Sequence, residues 1–137
     1  MNLWYIIKKG FSEKIPIKIF GEVKELAEQD CIFCKIIKGE IPSEIVYEDE
    51  WVAAFKDVAP MAPVHILIVP KKHIPTLNDA GEEDTLLLGK IQRAAVKLAE
   101  QQGIRESGYR LVSNCGKDGG QVVMHIHYHL LGGKTLD

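Results

Sequence analysis

The alternation of apolar and polar residues predicts five short strands and one long helix. Strands are expected over residues 44–47, 51–55, 65–69, 109–114 and 122–131, because apolar side chains there alternate or run together between turn residues. The helix is expected over residues 84–102 and ends before Gly103, because its apolar residues recur every three or four positions: Leu87, Leu88, Ile91, Ala94, Ala95 and Leu98. Since the helix falls between the third and fourth strands, this order predicts an antiparallel α+β domain.

The first 24 residues differ from the rest of the chain. They alternate loosely and contain Gly10 and Pro16, which is typical of an edge strand or a loosely ordered arm. A short helix is predicted over residues 31–38, with Asp30 as its N-cap and Gly39 as its stop. We therefore expect an N-terminal extension over residues 1–24 and a single domain over residues 25–137.

Charge and composition exclude some classes of function. Seventeen basic and nineteen acidic residues give a net charge of −2, whereas proteins that bind nucleic acid are usually basic. No apolar run approaches the roughly 18–20 residues that a membrane-spanning helix requires. Because three cysteines leave one without a disulfide partner, we expect a reducing, cytoplasmic environment.

Three of the five histidines lie in one predicted strand, at alternate positions. His125, His127 and His129 are expected on one face, and the apolar residues between them on the other: Met124, Ile126, Tyr128 and Leu130. The apolar face is expected to pack on the core. The outer two histidines would be about 13 Å apart along an extended strand, too far for one zinc ion to bind both. Different roles for the three histidines are therefore expected.

A glycine-rich loop precedes this strand. Asn114, Gly116, Gly119 and Gly120 allow backbone conformations in which several N–H groups point inward, an arrangement that binds phosphate oxygens. An anion site beside neutral imidazoles indicates chemistry on a phosphorylated substrate.

These motifs together resemble the histidine-triad (HIT) family, and within it the Hint-like nucleoside phosphoramidate hydrolases. The resemblance covers about residues 30–134 and depends on the histidine strand and on five other segments: Ile32 to Pro42, Ala62 to His65, Val69 to Ile74, Gly119 to Gln121, and Leu131 to Gly133. It implies a five-stranded antiparallel sheet with one long and one short helix, extended by homodimerisation.

The resemblance also implies a reaction, the hydrolysis of the P–N bond between a purine nucleoside monophosphate and an amine. His127 would attack phosphorus and form a nucleotidyl-histidine intermediate, which water then cleaves. His129 would contact the phosphate oxygens and help to protonate the leaving amine. His65 would support His127, and His125 is the fourth histidine of the implied catalytic group. No organic cofactor is implied.

A nucleotide site is implied in the same way. Asp57 would accept hydrogen bonds from the ribose hydroxyls, while an ordinary turn carboxylate paired with Lys56 is the alternative. For Ile36 and Leu67, plain core packing is an equal explanation. The implied nucleotide-binding residues are Ile32, Phe33, Ile36, Phe55, Asp57, Val58, Leu67, Asn114, Gly120, Gln121, Val122, Val123, His127 and His129.

Cys31 and Cys34 have the two-residue spacing that is found in zinc sites and in redox motifs. The resemblance implies a structural zinc with Cys31, Cys34, His73 and His125 as ligands, which is a closed tetrahedral set. Two reduced, half-buried thiols are the alternative. Cys115, in the glycine-rich loop, has no evident partner.

Two departures from the family pattern bear on the activity. Val122 stands where the branch usually has a serine that contacts phosphate or leaving group, and the chain ends at Asp137 without the usual Trp-Pro-Pro-Gly tail. A purine-nucleotide-binding regulatory protein with little turnover is therefore an alternative function, and a dinucleoside polyphosphate hydrolase is another.

Overall fold

The computed structural model describes residues 30–137, so the predictions for residues 1–24 lie outside it. Helix α1, Ile32–Ile37, lies near the start of the described residues. Its N-cap is Cys31, whose Sγ accepts a hydrogen bond from the Cys34 N–H at 3.4 Å. The prediction of Asp30 as the cap was wrong by one residue. Gly39, with φ 78°, follows the helix as predicted.

Within residues 30–137, five strands form one antiparallel sheet: β1 (Ile45–Glu48), β2 (Val52–Lys56), β3 (Val64–Pro70), β4 (Tyr109–Ser113) and β5 (Tyr128–Gly132). Their order across the sheet is β1-β2-β3-β5-β4. The predicted fold class is thereby confirmed. Among the described strands β1 and β4 are the edges, and the functional residues of β3 and β5 lie at the centre.

Helix α2, Thr85–Gln101, covers one face of the sheet. Its buried residues include Leu87, Ile91 and Leu98, which the three- and four-residue spacing had predicted. The predicted start at residue 84 is shifted, because Glu82–Asp84 forms a separate 3₁₀ turn before the helix. No helix in residues 30–137 is both long and apolar enough to cross a membrane.

The sheet separates two apolar clusters. Ile66 and Ile68 of β3 pack with helix α2 on one face. Leu67 and Val69, the alternate residues of the same strand, pack on the other face with Phe33 and other side chains of α1 and β2. His65 belongs to this second set by alternation, so the strand pattern places its ring on the α1 side of the sheet.

The strand predicted over residues 122–131 is shorter in the structure, because only its last part pairs with other strands. The Ile126 N–H donates to the Ile74 carbonyl at 2.8 Å, so this segment bonds to the chain after β3 and not to a neighbouring strand. His125 and His127 therefore precede β5, and only His129 lies in it. The apolar face still packs on the α2 core through Ile126 and Leu130, whereas Met124 is 50% exposed, contrary to prediction.

Candidate active site and metal centre

The structure brings all five histidines together on the α1 side of the sheet. The rings of His73 and His125 have centroids 5.0 Å apart, and those of His127 and His129 are 5.2 Å apart. His65 lies 5.2 Å from His129. Phe33 joins the two groups, because its ring contacts both His125, at 5.9 Å, and His127, at 5.1 Å.

The protonation of His127 follows from its backbone partner. Its Nδ1 lies 2.8 Å from the carbonyl oxygen of His125, and a carbonyl can only accept. Nδ1 of the neutral ring therefore carries the proton, and Nε2 keeps its lone pair. The His127 carbonyl in turn accepts from the Ser113 hydroxyl at 3.0 Å. An imidazole held in this way presents a nucleophilic nitrogen.

His65 and His129 form a second hydrogen-bonded pair. The Met61 N–H donates to His65 Nδ1 at 3.0 Å, so Nε2 of the neutral His65 ring carries the proton. Nε2 then donates to His129 Nδ1 at 2.9 Å, which leaves the proton of His129 on its Nε2. His65 thus contacts His129, whose ring lies against His127, and the predicted support of His127 by His65 stays a prediction. The strand register explains the contact: Leu67 lies opposite His129, and His65 is two residues from Leu67 on the same face.

The surroundings of His129 favour its neutral form. Burial lowers its pKa, and the neighbouring His127 and His65 lower it further, while Asp57 acts in the opposite direction. At neutral pH His129 is therefore an uncharged N–H donor beside the lone pair of His127.

A second group of side chains has the composition and spacing of a metal site. The donor atoms of Cys31, Cys34, His73 and His125 all lie within 4.8 Å of one another. His125 Nδ1 is 3.3 Å from Cys31 Sγ, 3.6 Å from Cys34 Sγ and 3.1 Å from His73 Nδ1. Around a tetrahedral zinc with Zn–S of about 2.3 Å and Zn–N of about 2.0–2.1 Å, adjacent donors are about 3.3–3.8 Å apart. The four residues could therefore bind one metal ion with little movement.

His125 has the tautomer that such a site requires. Its Nε2 donates to the Pro70 carbonyl at 2.8 Å, so its Nδ1 presents a lone pair to the cluster. The side chain is fully buried, and this burial is the main reason that its pKa is lowered to about 4. Of the three triad histidines only His125 belongs to this cluster, which agrees with the prediction that the three have different roles.

Asp57, His65 and His129 also lie within 4.8 Å of one another, but their hydrogen bonds do not suit a metal. A metal on His65 Nε2 would require the ring proton on Nδ1, where the Met61 N–H already donates. We therefore interpret this group as a hydrogen-bond relay.

The residues implied for the nucleotide fall into two groups. Phe33, Ile36, Phe55 and Leu67 are buried against one another under the histidines. Ile32 and Val58 are exposed at the rim. Asp57 is not paired with Lys56, which pairs with Glu44 at 2.9 Å. Instead, one Asp57 oxygen accepts from the Ala59 N–H at 2.8 Å and the other lies 3.4 Å from His65 Nε2.

The glycine-rich loop is held by Gln121, which sequence reasoning placed only among nucleotide contacts. Its side-chain oxygen accepts from the Gly116 N–H at 2.9 Å, and its amide group donates to the carbonyls of Pro75, at 2.7 Å, and Val123, at 2.9 Å. Gly116 and Gly120 adopt φ of 75° and 86°, which glycine tolerates best. A Cβ on Gly120 would lie 3.9 Å from the Asn114 side-chain nitrogen, so these two residues are neighbours.

Two partners of the site were missed from the sequence. The Ser113 hydroxyl and the Met61 N–H hold His127 and His65, respectively. Neither has a local signature, because a strand-end serine and a loop amide acquire these roles only through long-range packing.

Comparison with known proteins agrees with this architecture. A family model described as "HIT domain" matches residues 38–136. The purine nucleoside phosphoramidase of Escherichia coli K12 is 55% identical over 108 residues, which are 79% of this chain and 91% of that protein.

Solved structures show the same fold. A HIT family hydrolase from Legionella pneumophila superposes with a TM-score of 0.77 at 53% identity, covering 79% of this chain and 96% of that one. A histidine triad protein from Clostridium difficile also gives 0.77, at 51% identity, covering 79% and 94%.

Proposed function

This chain belongs to the HIT-domain family, and from that membership we propose that it hydrolyses the P–N bond of purine nucleoside phosphoramidates. The similar E. coli protein is a purine nucleoside phosphoramidase. The observation that carries the proposal is the complementary protonation of two adjacent rings. His127 presents a lone pair and His129 presents an N–H, because His125 O and His65 Nε2 are their respective partners.

In the first step, Nε2 of His127 attacks phosphorus, the P–N bond breaks and the amine leaves. His129 donates a hydrogen bond from its Nε2–H to a phosphate oxygen and guides one proton, taken up from solvent, to the departing nitrogen. In the second step, water cleaves the nucleotidyl-histidine and releases a proton. The protons therefore balance over the two steps, and the purine nucleoside monophosphate is the product.

The nucleotide is proposed to bind over Phe33 and Phe55, with Ile32 and Val58 closing on the base from the exposed rim. The two oxygens of Asp57 accept the ribose hydroxyls, since each keeps a lone pair beyond its present contact. The phosphate is proposed to bind against the glycine-rich loop, next to Asn114, Gly120, Gln121, Val122 and Val123. The buried side chain of Gln121 acts by holding this loop.

Zinc is the metal that the Cys₂His₂ set suits best, because thiolate and imidazole donors at tetrahedral spacing are its preferred ligands. The ion would hold α1 against the segments that carry His73 and His125. It would have a structural role, since all four positions are filled by protein.

We also propose that the protein is a homodimer in which β4 takes part, because β4 is an edge strand within residues 30–137 and an edge strand can pair with a strand of another chain. Light scattering after size-exclusion chromatography measures this. A cytoplasmic location stays a prediction from the three free cysteines.

One observation favours a second candidate function, nucleotide binding with little turnover. Val122 lies beside the glycine-rich loop with its side chain 89% exposed. The family usually has a serine at this position, and valine has no hydroxyl to donate to the phosphate.

Hydrolysis of an adenosine monophosphate–amine conjugate by wild type and by His127→Ala separates the two candidates. The variant should stay folded by circular dichroism and still bind AMP while its turnover disappears. Its melting temperature should fall, because the buried His125 carbonyl loses its donor. Wild type that binds AMP but does not turn over would favour the binding role. Equal turnover in the two proteins would overturn the assignment of His127.

A further inference from the structure

The two cysteines of the metal cluster are placed so that they can also bond to each other. Cys31 caps helix α1, Cys34 lies in its first turn, and the Cys34 N–H donates to Cys31 Sγ at 3.4 Å. Both sulfur atoms belong to the group whose members all lie within 4.8 Å. A disulfide requires Cα atoms about 4.4–6.8 Å apart, a range that residues one helical turn apart satisfy.

A cavity gives small molecules access to this pair. Its volume is about 390 Å³, and Cys31 and His73 form part of its wall. The remaining wall residues are Asp30, Ile32, Pro75, Val122, Val123 and Met124. Both cysteines are buried, but Cys34 is not among the residues lining this cavity. An oxidant entering by this route therefore meets Cys31 first.

We propose that Cys31 and Cys34 are a peroxide-sensitive pair whose oxidation to a disulfide expels the metal. The Cys31 thiolate attacks one oxygen of hydrogen peroxide, the O–O bond breaks, and hydroxide leaves the Cys31 sulfenic acid behind. The Cys34 thiolate then attacks that sulfur, forms the S–S bond and releases a second hydroxide. The two sulfurs lose two electrons and peroxide gains them. Protons from solvent turn both hydroxides into water, and the metal ion loses two of its four ligands.

The consequence for catalysis passes through His125. Its ring is one of the four proposed metal ligands, and its carbonyl oxygen lies 2.8 Å from His127 Nδ1, whose proton it accepts. Loss of the ion leaves the ring held only through Nε2 on the Pro70 carbonyl, and this loosens the peptide that positions the nucleophile. Loss of such outer contacts typically lowers activity about 10- to 100-fold, so we expect a decrease of about tenfold. This consequence rests on the proposed hydrolase function, whereas the sulfur chemistry does not.

The test uses the zinc-loaded Cys115→Ser protein, because this change removes the one thiol outside the cluster. The protein is treated with hydrogen peroxide while released zinc is measured with a chromogenic chelator. Free thiols and intact mass are followed in parallel. We expect zinc release to match the loss of both thiols and a mass decrease of two hydrogens. A reductant with added zinc should restore thiols, bound metal and hydrolysis together.

A Cys34→Ser protein, shown to be folded by circular dichroism, provides the second test. Its Cys31 sulfenic acid has no resolving thiol, so dimedone should label Cys31. Zinc that stays bound while the thiols are lost, a disulfide between two chains, or label absent from Cys31 would overturn the proposal. Unchanged hydrolysis after complete zinc release would overturn the coupling through His125. A protein that never hydrolyses phosphoramidates refutes only the proposed function, because zinc, thiols and mass remain readable.

Discussion

The replacement His65→Phe tests whether the relay to His129 sets the protonation of that ring. His65 is 5% exposed, accepts from the Met61 N–H at 3.0 Å and donates to His129 Nδ1 at 2.9 Å. Phenylalanine keeps an aromatic ring of similar volume but makes neither bond. The change therefore removes the two polar contacts with little loss of packing.

The expected loss of stability depends on how exposed the two former partners of His65 are, the Met61 N–H and the His129 ring. Met61 is 74% exposed, so we expect its N–H to find water. His129 is half-buried, and a buried acceptor without a donor costs about 1–3 kcal/mol. We expect the free energy of unfolding to fall by about 1–2 kcal/mol. Because the tautomer of His129 is no longer held by a bond of about 0.5–1.5 kcal/mol, kcat should fall by up to about tenfold.

Urea denaturation and steady-state hydrolysis measure the two effects, and ¹⁵N NMR of the imidazoles reports the tautomers directly. KM should change little, since His65 is not expected to touch the nucleotide. His65→Gln is the matched control, because its amide supplies a donor near the position of ring Nε2 and should recover part of kcat. A folded His65→Phe protein with wild-type kcat and an unchanged His129 tautomer would refute the relay.

Three further replacements test the rest of the account. Val122→Ser should leave the melting temperature unchanged, because the side chain is 89% exposed. It should raise kcat about tenfold, because serine adds a hydroxyl donor beside the phosphate. An unchanged or lower kcat would show that Val122 does not limit turnover. Gln121→Glu replaces the donor to the Pro75 carbonyl with a buried carboxylate, so urea denaturation should show a loss of about 2–4 kcal/mol, and full stability would contradict the clamp. Asp84→Asn removes the partner of Lys72 at 2.6 Å. The hydrogen bonds from Lys72 and from the Gly81 N–H lower the pKa of Asp84 below its usual 3.8. The stability that the Asp84 carboxylate contributes is therefore fully present above pH 3.8 and is lost as the pH falls through the lowered pKa of the folded protein. The melting temperatures of wild type and variant should differ at pH 7 and converge in acid.

The periodicity of apolar side chains along the sequence predicted the faces of the helix and strands correctly. The α2 face, the alternation of β3 and the division of residues 125–130 into a histidine face and an apolar face follow from side-chain periodicity. The spacing along a strand also indicated that the triad divides its roles, and the structure places His125 in the candidate metal site and His127 and His129 outside it.

The errors arise where distant backbone groups compete with local preference. Residues 122–127 have a strand pattern, yet Ile126 bonds to Ile74 and Gln121 bonds to Pro75, each about fifty residues away along the chain. No periodicity encodes these bonds. The contact between His65 and His129 likewise depends on the register that places Leu67 opposite His129, which one sequence alone does not determine.

The candidate metal site could be recognised from the sequence only through resemblance. Its four candidate ligands come from the start of α1, the segment after β3 and the segment before β5, and the spacing of Cys31 and Cys34 alone fits redox chemistry equally well. The cap of α1 was missed for a related reason. Cysteine is a weak acceptor and a rare N-cap, so Asp30 was the better choice by propensity.

The most direct test of the central claim is to trap the nucleotidyl intermediate. Wild type and His127→Ala are mixed with an adenosine phosphoramidate, quenched within the first turnover without acid, which cleaves P–N bonds, and examined by intact and peptide mass spectrometry. The account predicts an adenylyl group on the peptide containing His127 in wild type and none in the variant. An adduct on His129 or another residue would contradict it, as would turnover in wild type with no adduct at any time.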